Sequence, residues 1–337
     1  MEFPIEKITT SSNIDIYALH CRVLDTPIAG RIHVIPELEA IVDTGGPSEL
    51  AQNDLRHAFE NLRTDFGVNF RLEDVRHVFL THGHVDHVGG LPLFNFPHVT
   101  SYIHELDLAM VSHTEMFTQQ SKVSLERFFE SCRIPLSHRS ELRKIFSQCW
   151  IPTQDYSIGR LLRDNDKIGP FTFYHVPGHT RGQMNIQLDN VLFSGDNIMS
   201  QTVTPPLWPH SFSRYLGCAS YQRGFTRMKE VIQSEGIEIL LPSHEETIYE
   251  PLKRLSIIEK AEKRRYKRIL DFLQIGDSSM SFEQRCQCVD DSIMSSAWEI
   301  VNRYYVTPTL HLLIINLFDA ASRLEYLREC ASALQAA

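Results

Sequence analysis

Thr81-His82-Gly83-His84-Val85-Asp86-His87-Val88-Gly89-Gly90 follows directly on the apolar run Val75-Arg76-His77-Val78-Phe79-Leu80. A short apolar run before a turn predicts a buried strand, so the histidines stand in the loop at its end. His82 and His84 are two apart, as are His84 and Asp86, and His87 adds another imidazole within the same turn. Imidazole binds metal in its neutral form, so no net charge has to be buried. Gly83, Gly89 and Gly90 allow the backbone to curl tightly there. Four nitrogen and oxygen donors within six residues form a mixed set suited to zinc, iron or manganese.

So short a loop cannot bring all four donors to one ion that keeps a position open. Further donors are expected from elsewhere, and three residues recur in the same setting. His179 follows Phe173-Tyr174-His175-Val176-Pro177, Asp196 follows Val191-Leu192-Phe193-Ser194, and His244 follows Ile239-Leu240-Leu241-Pro242. Loops at strand ends are where α/β proteins carry reactive groups. Alone, each has an ordinary reading: a hydrogen-bonded histidine, or a turn aspartate after Gly195. Together the donors number five His and two Asp. That is enough for two ions roughly 3.5–4 Å apart sharing a carboxylate.

The rest of the chain bounds the reading. Its 337 residues allow about two domains at roughly 150 residues each. A 42% hydrophobic and 22% charged composition is that of a globular protein and excludes disorder as the main state. The net charge of −9 disfavours a protein-wide nucleic-acid surface. Seven scattered cysteines include no C-x-x-C pair, so a cysteine zinc knuckle is not expected and a reducing compartment is. Residues 1–12 have no apolar signal core, and the run from Leu312 to Phe318 is broken by Asn316. The expectation is a cytoplasmic protein with no membrane partner.

Strands are predicted over 14–24 and 32–42, the second ending in the turn Asp43-Thr44-Gly45-Gly46-Pro47. Pro47-Ser48-Glu49 opens a helix to about Phe66 with Leu50, Leu55, Ala58, Phe59 and Leu62 on one face, stopped by Gly67. After a strand at 99–103, residues 104–150 read as helical, divided by Pro135, with Ser137 capping a helix through Cys149. Strands at 171–176, 183–193 and 237–241 and a helix at 221–234 complete the body. Beyond Tyr249 only helices are expected, at 251–273, 282–304 and 309–334. A boundary is therefore placed at 250, with 1–250 a catalytic domain and 251–337 a helical one.

The ordered segments His82-x-His84-x-Asp86-His87, Pro177-Gly178-His179-Thr180, Ser194-Gly195-Asp196 and Pro242-Ser243-His244 resemble the metallo-β-lactamase superfamily over roughly residues 14–250. The Pro-Gly-His-Thr wording is similar to its glyoxalase-II branch. The resemblance implies an α/β fold, an αββα sandwich with a dinuclear site at one edge of its two sheets, here with a helical C-terminal appendage. It implies that His82, His84 and His179 hold one ion, that Asp86, His87 and His244 hold the other, and that Asp196 bridges. Asp43 matches the family's early Asp-Thr-Gly turn, a support for the ligands. The cofactors would be two divalent transition-metal ions, zinc ahead of iron or manganese. The activity would be hydrolysis by a metal-bridging hydroxide, with Asp196 and Asp86 as the catalytic carboxylates.

Three readings of the substrate stand side by side. The first is an ester or thioester of a small acylated molecule, with Val203, Leu207, Trp208, Phe212 and Tyr215 of the 201–218 loop walling an acyl pocket. The second is a phosphodiesterase or ribonuclease. Lys253, Arg254, Lys260, Lys263, Arg264, Arg265, Lys267 and Arg268 could grip nucleic-acid phosphates. Alternatively they form a solvated face, with Leu252, Leu255, Ile258, Tyr266, Ile269 and Leu273 turned inward. Ser322-Arg323-Leu324-Glu325-Tyr326-Leu327 has a faint likeness to the tail of superfamily nucleases. The third is a binding or regulatory protein that retains the metal site. The appendage shows no glutathione-binding signature and could wall the pocket or form a homodimer contact. His98, His104, His113, His138 and His175 read as packed or hydrogen-bonded side chains, and Cys286 and Cys288 receive no role.

Overall fold

The computed structural model describes residues 4–23, 29–146, 152–204, 209–277, 279–305 and 310–335. Strands β1 (Ile5–Thr9), β2 (Asp15–Arg22), β3 (Ala29–Ile35) and β4 (Ala40–Val42) open the chain. Helix α1 (Glu49–Phe66), β5 (His77–Phe79), the short α2 (Val85–Val88) and β6 (Thr100–His104) follow. Next come α3 (Leu108–Ser112), α4 (Thr114–Ser131), α5 (Leu136–Phe146), β7 (Arg160–Leu162), β8 (Lys167–Ile168) and β9 (Phe171–His175). A hairpin of β10 (Met184–Leu188) and β11 (Val191–Gly195), then α6 (Gly217–Ser234) and β12 (Ile239–Pro242), close the body. Helices α7 (Pro251–Phe272), α8 (Phe282–Cys286), α9 (Ala297–Tyr304) and α10 (Leu310–Gln335) end it.

Seven strands form one sheet in the order β1 to β7, and five form a second in the order β12-β11-β10-β9-β8. Alternation along each strand divides the apolar side chains between two faces. Ile16, Val42, Phe79, Phe173, Ile186 and Leu241 meet between the sheets. Leu19, Val34 and Val78 turn outward onto Leu55, Phe59 and Leu62 of α1. Leu192, Leu240 and Val176 turn outward onto Phe225 and Met228 of α6 and Leu255 and Ile258 of α7. The result is the expected αββα sandwich with helices after it.

Local differences from the sequence reading have physical causes. The 32–42 run is two strands because Pro36 opens a single 3-10 turn and has no N–H for a ladder. The 183–193 run is a hairpin, turning at Asp189 with φ +56. Ser48 caps α1 by accepting from Ala51 N, and Gly67 ends it in the left-handed region. That phase buries Ala51 and leaves Leu50 51% exposed. Ser137 lies inside α5, which starts at Leu136, and Cys149 falls outside the described residues. The 282–304 helix is interrupted where Asp290 accepts from Ser292 N and opens a 3-10 turn.

Helices on either side of residue 250 share one core, in which Phe117, Phe128 and Phe146 pack with Ile269, Ile300, Phe318 and Leu324. On α7, Leu255, Ile258, Tyr266 and Ile269 are buried as expected, whereas Leu252 is exposed. Among the described residues, no helix is long and apolar enough to cross a membrane.

Candidate metal centre

β4, β5 and β6 run parallel, and so do β11 and β12. β9 runs the same way as β11, since each is antiparallel to β10. The chain therefore leaves all these strands at common edges, where α/β proteins gather reactive side chains. Asp43 follows β4, the 82–87 cluster follows β5, His179 follows β9, Asp196 follows β11 and His244 follows β12. All seven predicted donors converge. His82, His84 and His179 form one group, Asp86, His87 and His244 another, and Asp196 groups with His82 and His87.

In the first group His84 Nδ1 lies 2.9 Å from His82 Nε2 and 3.1 Å from His179 Nε2. In the second, His244 Nε2 lies 3.5 Å from Asp86 Oδ2 and His87 Nε2 lies 3.7 Å from Asp86 Oδ1. Asp196 stands between them: Oδ2 is 3.4 Å from His179 Nε2, and Oδ1 is 3.6 Å from the Nε2 atoms of His87 and His244. Most of these nitrogen–oxygen gaps are too long for good hydrogen bonds. They match two ligands at ~2.1 Å from a shared tetrahedral ion, which stand roughly 3.4 Å apart. His87 Nε2 and Asp196 Oδ1 are buried with no hydrogen-bond partner among the described residues. The donor set fits divalent cations.

The outer contacts decide which nitrogen faces the centre. Asp43 accepts from Thr81 N at 2.8 Å, from Thr81 Oγ1, from Ser243 Oγ at 2.7 Å and from His87 Nδ1 at 2.9 Å. A carboxylate only accepts, so it takes the Thr81 hydroxyl proton. The Thr81 oxygen is then left to accept from His82 Nδ1 at 3.0 Å. His244 Nδ1 donates to the Ala29 carbonyl at 3.0 Å. His82, His87 and His244 thus each spend Nδ1 on an outer partner and turn Nε2 inward.

Backbone fit explains the paired glycines. A Cβ on Gly90 would lie 2.0 Å from Thr44 O, and one on Gly89 would lie 2.3 Å from Pro47 N. Only glycines let this turn close on the 43–47 turn, where Thr44 N donates to His87 O at 2.8 Å. Asp43 itself has φ +62, a conformation that Asp tolerates better than most residues.

Burial, reinforced by neighbouring imidazoles, holds His82 and His84 well below the usual histidine range and keeps both neutral. Burial also opposes charge on His244, but Asp196 and Asp86 outweigh it and raise its pKa to about 9. His87 is raised for the same reason by Asp86, Asp196 and Asp43. Burial would raise Asp86 and Asp196 too, yet His87 and His244 hold both below the carboxylate range. In the metal-free chain, protons on His87 and His244 balance the carboxylates that a cation would otherwise neutralise.

Sequence reasoning missed Asp107. It accepts from Gly83 N at 3.0 Å, Thr180 Oγ1 at 2.7 Å and Gly182 N at 2.7 Å, tying the loop of His82 and His84 to that of His179. An aspartate between Leu106 and Leu108 carries no signal of this. The other histidines are structural where their contacts are given: His104 stacks on His175 at 4.0 Å, whose Nε2 donates to Arg181 O at 2.8 Å. In the 201–218 loop, Phe212 packs against Phe128 and Phe318 of the helical core. Leu207 and Trp208 fall outside the described residues.

A family model described as the metallo-beta-lactamase superfamily matches residues 35–212, a span that stops before His244. The probable metallo-hydrolase YqjP of Bacillus subtilis is 21% identical over 229 residues, covering 65% of this chain and 69% of that one. A metallo-beta-lactamase family protein of Thermus thermophilus shares the fold with a TM-score of 0.64 and 19% identity, covering 93% of each chain. A beta-lactamase domain protein of Burkholderia ambifaria does so at 0.56 and 19% identity, over 96% of this chain and 86% of its own. The family match spans over half the chain, and the sandwich and the converging donors agree with it: the chain belongs to the metallo-beta-lactamase superfamily of hydrolases.

Proposed function

We propose that the chain is a dinuclear metal-dependent hydrolase acting on an ester or thioester of a small acylated molecule. The observation that carries the dinuclear reading is Asp196, whose two oxygens face different donor groups at 3.4 and 3.6 Å. Zinc is the first choice of metal, with iron or manganese compatible. Two divalent cations there would lower the pKa of a shared water and polarise the bond under attack.

The chain's own residues do the rest. Asp43, Thr81 and the Ala29 carbonyl fix the inward tautomers of His87, His82 and His244. Asp107 locks the two loops that carry His84 and His179. Asp196 spans the two groups. Asp86 is held ionised, and its side chain is 17% exposed against 9% for Asp196. It is the carboxylate placed to receive a hydrogen bond from the attacking water and orient it.

Access supports a small substrate. His82, His84 and His179 are at most 3% exposed, and the open side is that of Asp86 and His244. The phosphodiesterase reading has less support. On α7, Lys253 pairs with Glu250, Arg265 with Glu262, and Arg254 donates to the carbonyls of Met199 and Thr202. Arg323 is buried in ion pairs rather than displayed. Free thiols at all six described cysteines support a reducing, cytoplasmic setting.

A panel of thioesters, aryl esters, lactones, β-lactams, phosphodiesters and RNA, run with zinc-loaded and chelator-stripped protein, tests the proposal. Thioester or ester hydrolysis is expected to lead by about ten-fold or more, to vanish on chelation and to return with zinc. Faster cleavage of phosphodiesters or RNA would overturn the substrate class.

A further inference from the structure

A cavity of about 670 Å³ lies between α6, α7, the α8 segment and α10, and none of the metal-centre donors lines it. Small-molecule sites commonly span roughly 300–1,000 Å³. Its floor is apolar and aromatic. Tyr266 faces Tyr326 at 5.0 Å and Phe282 at 6.3 Å between ring centres, with Leu270 and Met280 beside them.

The charges around the floor cancel unevenly. Glu259 is held by Lys229 at 3.1 Å. Glu262 is held by Arg323 and Arg265. Arg285 is held by Asp271 at 2.6 Å. Glu283 keeps its charge and accepts from Ser281 Oγ at 2.9 Å. Lys263 and Lys267, one helical turn apart on α7, line the cavity with no ion-pair or hydrogen-bond partner among the described residues. Two ammonium groups beside an aromatic lining complement an apolar molecule that ends in an anion.

We propose that this cavity binds a free, small anionic amphiphile, with its carboxylate or phosphate on Lys263 and Lys267 and its apolar body on Tyr266, Phe282 and Tyr326. The site is separate from the metal centre, and its binding does not depend on the hydrolase reading.

Fluorescence titration of the full chain with anilinonaphthalene sulfonate, beside the uncharged N-phenylnaphthylamine, tests it. One sulfonate dye should bind per chain and be displaced by decanoate below its micelle-forming concentration. The Lys263→Gln/Lys267→Gln variant should weaken the sulfonate dye about ten-fold and leave the neutral dye within about two-fold. Met280→Trp, which puts a bulkier ring into the lining beside Phe282, should weaken both dyes. Ester hydrolysis should be unchanged in both variants. Equal sulfonate binding without the lysines would overturn the proposal. So would displacement by a single-stranded RNA but not by decanoate, or lysine-dependent binding to phosphatidylglycerol vesicles without binding of free decanoate.

Discussion

Asp196→Asn is expected to cut ester turnover by on the order of a thousand-fold while leaving the fold intact. The carboxylate stands 3.4 Å from the first donor group and 3.6 Å from the second. Asn has the same shape but no charge, and its nitrogen cannot accept. One of the two groups must then lose its shared ligand. Metal-assisted stabilisation amounts to several kcal/mol, and about 4 kcal/mol corresponds to three decades in rate. The fold should survive because Asp196 Oδ1 makes no hydrogen bond within the described residues. Steady-state kinetics with circular dichroism checks this. Parental turnover in a folded variant would refute the bridging role.

Arg323→Met is expected to destabilise the chain by about 3–5 kcal/mol, the range for stripping one partner from a buried ion pair. The Arg323 side chain is fully buried, reaching Glu262 at 2.7 Å and Asp319 at 2.8 Å. Its guanidinium also lies 5.3 Å from the Tyr266 ring. Burial opposes its charge, but Asp319 and Glu262 outweigh that and raise its pKa further. Removing it leaves two carboxylates in the interior of the helical layer. A melting temperature lower by roughly 5–10 °C is expected, and the triple variant Arg323→Met/Glu262→Leu/Asp319→Leu should recover most of it. A shift under about 1 °C for the single variant would show the triad to be energetically idle.

Legibility differed between these two places for a physical reason. The donors were readable because each follows an apolar run, and a polar residue directly after a strand end is conspicuous. Asp43 was readable from its turn. Asp107 was not, because its work is to accept from backbone and hydroxyl groups of loops distant in sequence. Nor was the burial of Arg323 readable: a charged residue on a helix reads as surface, and burial is tolerable because Asp319 one turn away and Glu262 of α7 both meet it. In the same 322–327 stretch Glu325 also turns inward, accepting from Ser211 N at 3.1 Å.

In the sandwich, α1 announced itself through Ser48 and Gly67. The edge strands β7 and β8, three and two residues long, were too short to show an alternating pattern. Helices after 250 were found as elements, but their sharing of a core with α3 to α5 depends on contacts over more than a hundred residues, which periodicity does not encode.

The two-cation centre is tested most directly by metal analysis of protein expressed in metal-replete medium, combined with an anomalous difference map. Two peaks are expected, one among His82, His84 and His179 and one among Asp86, His87 and His244, with Asp196 touching both. A single peak, or none, with the same side chains in place would contradict it.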